Sequence, residues 1–399
     1  MRATISTHSH KIAWALLLAL PVVLPFIRRA GPVVLVLAAC LTLVPIILRG
    51  QLRELVRRMW TPTTMLIAAF LGWAFVTLLW TPVPARGFHA VASATLMVLS
   101  GLVLIHGLER LDPSTIVRWI ATSIAIGATI IAVDLSTGGY LLKLMHSRPE
   151  PYRYNMVLVS LVALSFGLFR RGVNFFWLLK YVCVLSVLVA AFVGESQTAI
   201  LAVIFGYVVM FLSTFVPRRL SFAGFAIGFM MAWVGFLTMP EILGDAARLW
   251  PSLAEQGHAA ERIRIWIAYT KFALAGLPWG WGIESVANVP ATAYFATVPD
   301  ALKADLEWLH PHNNIIQLAS EMGWAGILLG LGLSYFLVSW SHNDENLRPA
   351  RAGLVAAIAI VSLVSHGFWQ MWWWSAVVIA FLPLADEKNS KTSSKELVP

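Results

Sequence analysis

The sequence predicts an all-α polytopic membrane protein: about twelve transmembrane helices with one large loop on the outer face. Three observations carry that reading. Of 399 residues, 59% are hydrophobic and only 12% are charged, roughly half the charge of a soluble domain. Apolar runs of roughly 17–25 residues recur along the chain, long enough to cross a bilayer. The basic residues sit in short connections between those runs, as topology signals do. A β-barrel is excluded because the segments are continuously apolar rather than alternating.

Taken in order, the candidate spans lie at roughly 11–27, 32–48, 62–80, 88–107, 115–135, 154–169, 174–193, 196–215, 220–240, 312–340, 351–367 and 369–385. Residues 1–240 thus hold nine helices, 241–311 a long loop, 312–385 three helices, and 386–399 a polar tail expected to be disordered. The N-terminal run lacks a small-residue cleavage site and another span follows at once, so it reads as a retained helix rather than a signal peptide. With both termini on one face, that face carries 18 of the 29 basic residues. Basic loops stay cytoplasmic, so both termini are expected there. The net charge of +9 therefore reports topology, and no nucleic-acid partner is expected. Cys40 and Cys183 both lie in apolar runs, with no disulfide framework and no metal-ligand spacing.

The outer face holds the other 11 basic residues. Arg28 and Arg29 follow the first span, Arg148 and Arg153 precede the sixth, and Arg262 and Arg264 lie in the long loop. Each alone is explained by snorkelling to headgroups; together they suggest an anionic ligand arriving from the membrane. Trp369, Trp372, Trp373 and Trp374 open the last span and read most simply as an interfacial aromatic belt.

Within the loop, a helix is expected from about Ala259 to Ala275, ended by Gly276 and Pro278. At about 100° per residue, Arg262, Trp266, Tyr269 and Ala273 share a face. Arg264 and Lys271 lie opposite. A plain amphipathic interfacial helix has the same pattern, and such a helix can present a lipid-linked phosphate to a site. Gly280 and Gly282 allow close backbone approach.

The loop ends in His310-Pro311-His312-Asn313-Asn314. Pro311 is favoured at a first helical position, which makes His310 the cap and places His312 in the first turn. There the helix dipole disfavours an imidazolium, and a neutral imidazole serves as a general base. Ala319, Gly323, Gly326 and Gly330 then form a small-residue stripe on the face of His312, suited to close helix approach. Glu321 lies on the other face, where a carboxylate needs a partner.

His312-Asn313, nine residues, Gly323, two residues, Gly326 resembles the His-[Asn/Ser/Gln]-x9-Gly-x2-[Gly/Thr/Tyr] pattern of the bacterial O-antigen ligases. Arg262, fifty residues before the histidine, looks like the family's second key position. The segment from Arg148 to Asn155 is also similar to the family's loop ahead of the sixth helix. One departure stands out: Gln197 occupies a position where the superfamily often has arginine. The resemblance implies a glycosyltransferase-C-like fold in the bacterial inner membrane with a periplasmic site. It also implies transfer of an undecaprenyl-diphosphate-linked polysaccharide to a hydroxyl of lipid A–core, with membrane lipids as surroundings.

On that reading His312 and Arg262 are catalytic. Arg148, Arg153, Asn313, Trp266, Tyr269 and Gln197 bind diphosphate or sugar. No metal or other cofactor is expected, because the first outer loop, Arg28-Arg29-Ala30-Gly31, has no carboxylate. An O-antigen polymerase or a protein O-oligosaccharyltransferase of the same superfamily is the alternative. A transporter fits less well, since the ionisable residues gather at the outer ends and no paired halves appear.

The helical phase makes one prediction. Arg262→Ala should cut transfer far more than Arg264→Ala in an in vitro assay; equal defects would show that the helix is mis-phased.

Overall fold

A computed structural model of the chain describes residues 2–109, 111–145, 148, 150–170, 177–236, 238, 241–245 and 259–385. The polar tail lies outside the described residues. Among the described residues there is no β-strand, and every apolar segment predicted above carries a helix. In order these are α1 (Arg2–Val23), α2 (Ala30–Leu48), α3 (Leu52–Met59), α4 (Pro62–Val76), α5 (Pro84–Gly107), α6 (Pro113–Ser136) and α7 (Tyr140–Leu144). After them come α8 (Asn155–Ser165), α9 (Trp177–Val193), α10 (Gln197–Phe215), α11 (Arg218–Gly235), α12 (Ala259–Gly276), α13 (Asp300–Leu306), α14 (Asn314–His342), α15 (Arg348–Val364) and α16 (Met371–Phe381).

Among the described residues, seven helical stretches are long and apolar enough to cross a membrane, and three shorter ones are apolar too. Large apolar side chains face outward on several of them, including Leu79, Phe215, Met231 and Leu328. Water makes such a surface costly, whereas lipid does not. The protein is a multi-pass membrane protein.

Inside the bundle, α8 is apolar on every side and is buried along nearly its whole length, as a helix without a polar face must be. It packs against α6, α9, α10 and α16. A second apolar core joins α4, α5, α12 and α14 with the loop that follows α12. At the end remote from that loop, several arginines expected to be loop charges are buried instead. Arg351 is fully buried, stacks on Trp340 and donates to the carbonyls of Leu384 and Trp340. Arg170 donates to the Pro383 carbonyl. These cations satisfy carbonyl groups where the chain's last apolar segment ends.

The feature that shapes the other end is a break in α14. Gly323 has φ +59° and ψ −147°, a conformation essentially confined to glycine. The expected role in helix–helix approach is corrected here: Gly323 faces loop backbone. The segment 278–282 docks into the break and takes up the freed backbone groups. Trp324 N–H donates to Pro278 O at 2.9 Å, Trp281 N–H to Ser320 O at 2.8 Å, and Gly282 N–H to Glu321 O at 2.9 Å. Trp73 Nε1–H reaches Met322 O at 3.1 Å. A Cβ on Gly323 would lie 2.1 Å from Pro278 O, and one on Gly280 would lie 2.5 Å from Glu321 O. Gly330 does meet another helix, against the Trp233 ring of α11.

Gly323→Ala should therefore destabilise the fold by about 1–3 kcal/mol from backbone strain alone, with the steric clash in addition. A clear drop in melting temperature in detergent is expected; an unchanged melting curve would show that the break is dispensable.

Candidate active site

The site is assembled where α14 begins. Asn313, not His310, is the N-cap: its side-chain carbonyl accepts from the backbone N–H groups of Ile315 and Ile316 at 3.0 and 3.1 Å. Two cap bonds from asparagine outweigh the preference of Pro311 for a first helical position. The expected register is thus corrected by three residues. Asn313 has its carbonyl committed to the helix rather than to a substrate. His312 lies just outside the helix, in the left-handed region at φ +54°, which histidine tolerates better than most residues.

That conformation aims the imidazole at the turn after α15. His312 Nδ1 lies 2.5 Å from the carbonyl of Ser365. A carbonyl only accepts, so Nδ1 carries the proton and Nε2 keeps its lone pair. Burial holds the His312 imidazole below the ordinary histidine pKa, opposed by the Ser365 hydrogen bond and aided by the charge of Arg262. The first-turn dipole argument made from the sequence is replaced by this burial. His310 packs against His312 with ring centroids 4.3 Å apart. Burial, then His312 and Arg86, push His310 down to about 3. His366 is likewise pushed down to about 3, by burial, then His310, His312 and Arg262. All three rings are neutral near pH 7.

Arg262 is partly buried on α12, and its charge is felt by both His312 and His366. Arg264 is exposed and faces Asp305 at 3.7 Å, and Lys271 is exposed. The helical phase separates these groups as expected. Tyr269, however, is fully buried, with its hydroxyl against the carbonyls of Val286, Leu306 and Trp308. It ties the long loop to α12, which leaves no free hydroxyl for a sugar; its assignment to substrate is corrected. Trp266 is partly buried in the same apolar core, with Nε1 buried and unpartnered among the described residues.

Beside the histidines lies a cavity of about 1060 Å³. Arg28, Arg29, Arg86 and Arg153 line it, together with His310, Gln317, His366 and Gln370. Val33, Leu37, Leu96 and Met97 make it apolar on another side. Arg28 donates to the Arg153 carbonyl at 3.2 Å, which joins the two basic loops. Arg86 pairs with Glu284. His312 stands behind His310 rather than in the cavity lining.

Two sequence expectations are corrected at this cavity. Arg148 is exposed and outside the lining, so Arg153 is the arginine of its segment that reaches the space. Gln197 is exposed at the start of α10, also outside it. The neighbouring Ser196 instead caps α10 and bonds Asn155, which does line the cavity.

Beneath the site, fully buried Glu321 finds the partners the sequence could not name. Oε1 accepts from Gln317 Nε2 at 2.9 Å, and Oε2 accepts from Trp369 Nε1 at 2.5 Å. Gln317 Oε1 in turn accepts from the backbone N–H of Phe368 at 2.7 Å. These bonds tie the turn 365–370 to α14. Trp369, Trp372 and Trp373 are buried in this framework, so the aromatic-belt reading is corrected for them.

Sequence reasoning missed Arg86, His89, Gln317, His366 and Gln370. A signal existed for the first two: Arg86, His89 and Ser93 share one face of α5, and all three line the cavity.

Residues 181–331, which include α12 and the break in α14, match the family model described as Wzy_C, O-Antigen ligase. A protein of Rickettsia felis named "Putative polysaccharide ligase" is 24% identical over 319 residues, covering 77% of this chain and 76% of the relative. A protein of Rickettsia conorii with a similar name is 23% identical over 324 residues, covering 77% and 75%. Over residues 181–331 the chain is similar to the O-antigen ligase family. No solved structure matches it significantly. These similarities support polysaccharide ligase activity at the level of the family alone.

The Glu321 framework makes its own prediction. Glu321→Ala leaves the Trp369 indole N–H and the Gln317 amide without acceptors, at about 1–3 kcal/mol each. Glu321→Gln should be milder, since it retains one acceptor but sets an amide NH2 against another donor. Thermal melts in detergent should rank wild type above Gln above Ala; equal melting temperatures would show that the network does not hold the turn.

Proposed function

We propose that this protein transfers a polysaccharide from an undecaprenyl diphosphate carrier to a hydroxyl of lipid A–core. Transfer takes place at the periplasmic face of the bacterial inner membrane, with inversion and without a metal. The observation that supports this best is the His312 imidazole. It is neutral, its tautomer is set by the Ser365 carbonyl, and Nε2 is left available, beside Arg262 and next to the arginine-lined cavity.

In this reading the acceptor hydroxyl gives its proton to His312 Nε2 as its oxygen attacks the anomeric carbon. The bond from that carbon to the diphosphate breaks, and its electron pair leaves with the diphosphate. Charge develops on the phosphate oxygens, and arginines stabilise it through forked, charge-assisted hydrogen bonds. Arg262 is the guanidinium nearest the base in effect, and Arg28, Arg29, Arg86 and Arg153 supply positive potential along the cavity. One-step attack opposite the leaving group inverts the anomeric centre. The apolar side of the cavity suits an isoprenoid chain entering from the bilayer.

The test is transfer by the purified protein from a lipid-linked donor to a core acceptor, read as a ladder on a gel. His312→Ala should reduce transfer by about 10²–10⁴-fold, with the protein still inserted and folded. A base works unprotonated, and burial lowers the His312 pKa, so the acid limb of kcat/KM should lie below pH 6.5 and the profile should be flat above it. Activity should persist in excess chelator. Wild-type transfer by the alanine variant would remove the base role, and activity lost to chelator and restored by Mg²⁺ or Mn²⁺ would remove the metal-free mechanism.

A further inference from the structure

His310 sits between two donors. Its Nδ1 faces the backbone N–H of His312 at 3.3 Å, and its Nε2 faces the side-chain NH2 of Gln370 at 3.2 Å. A neutral imidazole has one N–H and one lone pair, so neither tautomer satisfies both contacts. Protonation would only add a second unsatisfied donor. Gln370 cannot resolve the conflict by turning its amide over. Its Oε1 takes the indole N–H of Trp372 at 2.9 Å, and an indole nitrogen donates only.

The inner contact lies within the tight His310–His312 turn. The outer one is on the cavity wall, since His310 and Gln370 both line the space. The consistent arrangement puts the ring's lone pair on Nδ1, toward the His312 N–H, and its proton on Nε2. Two N–H groups, one from His310 and one from Gln370, then converge at the cavity surface without an acceptor between them. Two convergent donors call for an oxygen with two free lone pairs, which a sugar hydroxyl and a phosphate oxygen both have; only the phosphate adds the negative charge that strengthens both bonds. The charge of Arg86 reaches His310, and Arg28, Arg29 and Arg153 line the same cavity, so the local potential favours an anion.

We propose that His310 and Gln370 form a notch for a phosphate oxygen of the donor's diphosphate, one ring away from the base. The proposal rests on the transfer reading above for the identity of that diphosphate. The notch holds the leaving group beside His312 without placing a further cation against it. Its components are ordered from outside: Trp372 sets the Gln370 amide, and the His312 backbone sets the His310 tautomer.

Gln370→Glu tests the notch. A carboxylate there accepts from both Trp372 and His310, so it closes the donor pair internally and repels an anion. The melting temperature should not fall. Farnesyl diphosphate, titrated calorimetrically against the protein in detergent with farnesol as the control, should bind at least about tenfold more weakly than to wild type, the worth of one charge-assisted hydrogen bond. The KM for the lipid-linked donor should rise similarly while the KM for the core acceptor stays unchanged. Gln370→Leu, which removes the donor without adding charge, should weaken diphosphate binding less, and it serves if the glutamate variant does not accumulate.

Unchanged farnesyl diphosphate binding in these variants would overturn the notch, as would a shift in acceptor KM instead of donor KM. If the wild type transfers polysaccharide but the variants bind farnesyl diphosphate normally, the notch alone falls. If farnesyl diphosphate binding depends on Gln370 but no transfer occurs, the notch stands and the transfer reading falls.

Discussion

The site depends on one carboxylate sealed inside α14. Glu321 is fully buried and accepts from Gln317 and Trp369, and its backbone carbonyl accepts from Gly282. Through these bonds it joins three pieces of chain that are far apart in sequence: the long loop, the start of α14 and the turn before α16. A buried carboxylate is tolerated only where such donors surround it. Once they do, the turn has a defined place, and the Ser365 carbonyl with it. The His312 tautomer then follows from the fold. The glycine break at Gly323 belongs to the same construction, because it opens the helix so that segment 278–282 can reach Glu321.

Charge at this end of the bundle is divided by burial. Three histidines pack together and are all driven neutral. Positive charge is left to the arginines of the cavity wall, Arg28, Arg29, Arg86 and Arg153. Arg153 and Arg86 each keep a carboxylate neighbour, Glu150 and Glu284 respectively. Neutral bases and cations thus stand close enough for the charge of Arg262 to be felt by His312 and His366.

Much of this was legible in the chain itself. The apolar segments all appear as helices. The phase argument that set Arg262 apart from Arg264 agrees with the structure, in which Arg262 is partly buried and Arg264 is exposed, because an amphipathic helix turns its charged edge outward. Where reading failed, the cause was local competition or distant contact. The cap of α14 fell on Asn313 because its side chain bonds two backbone N–H groups, a geometry that the proline preference cannot foresee. Tyr269 lay on the expected face, but that face is buried against the loop, which spends its hydroxyl on carbonyls. The tryptophans of the last span looked like a lipid belt because composition cannot tell an interface from an interior.

What the sequence determined by itself is the class of molecule and the candidates for chemistry: a helical membrane protein with His312 and Arg262 in a long loop's reach. Periodicity and hydropathy are local, and each residue's neighbours along the chain suffice to read them. What only the tertiary structure decided is which groups meet. Arg86 and Arg153 line one cavity, Arg148 and Gln197 lie outside it, Glu321 is paired, and Ser365 sets the state of His312. Those contacts span up to hundreds of residues, and they depend on where a broken helix and two loops come to rest.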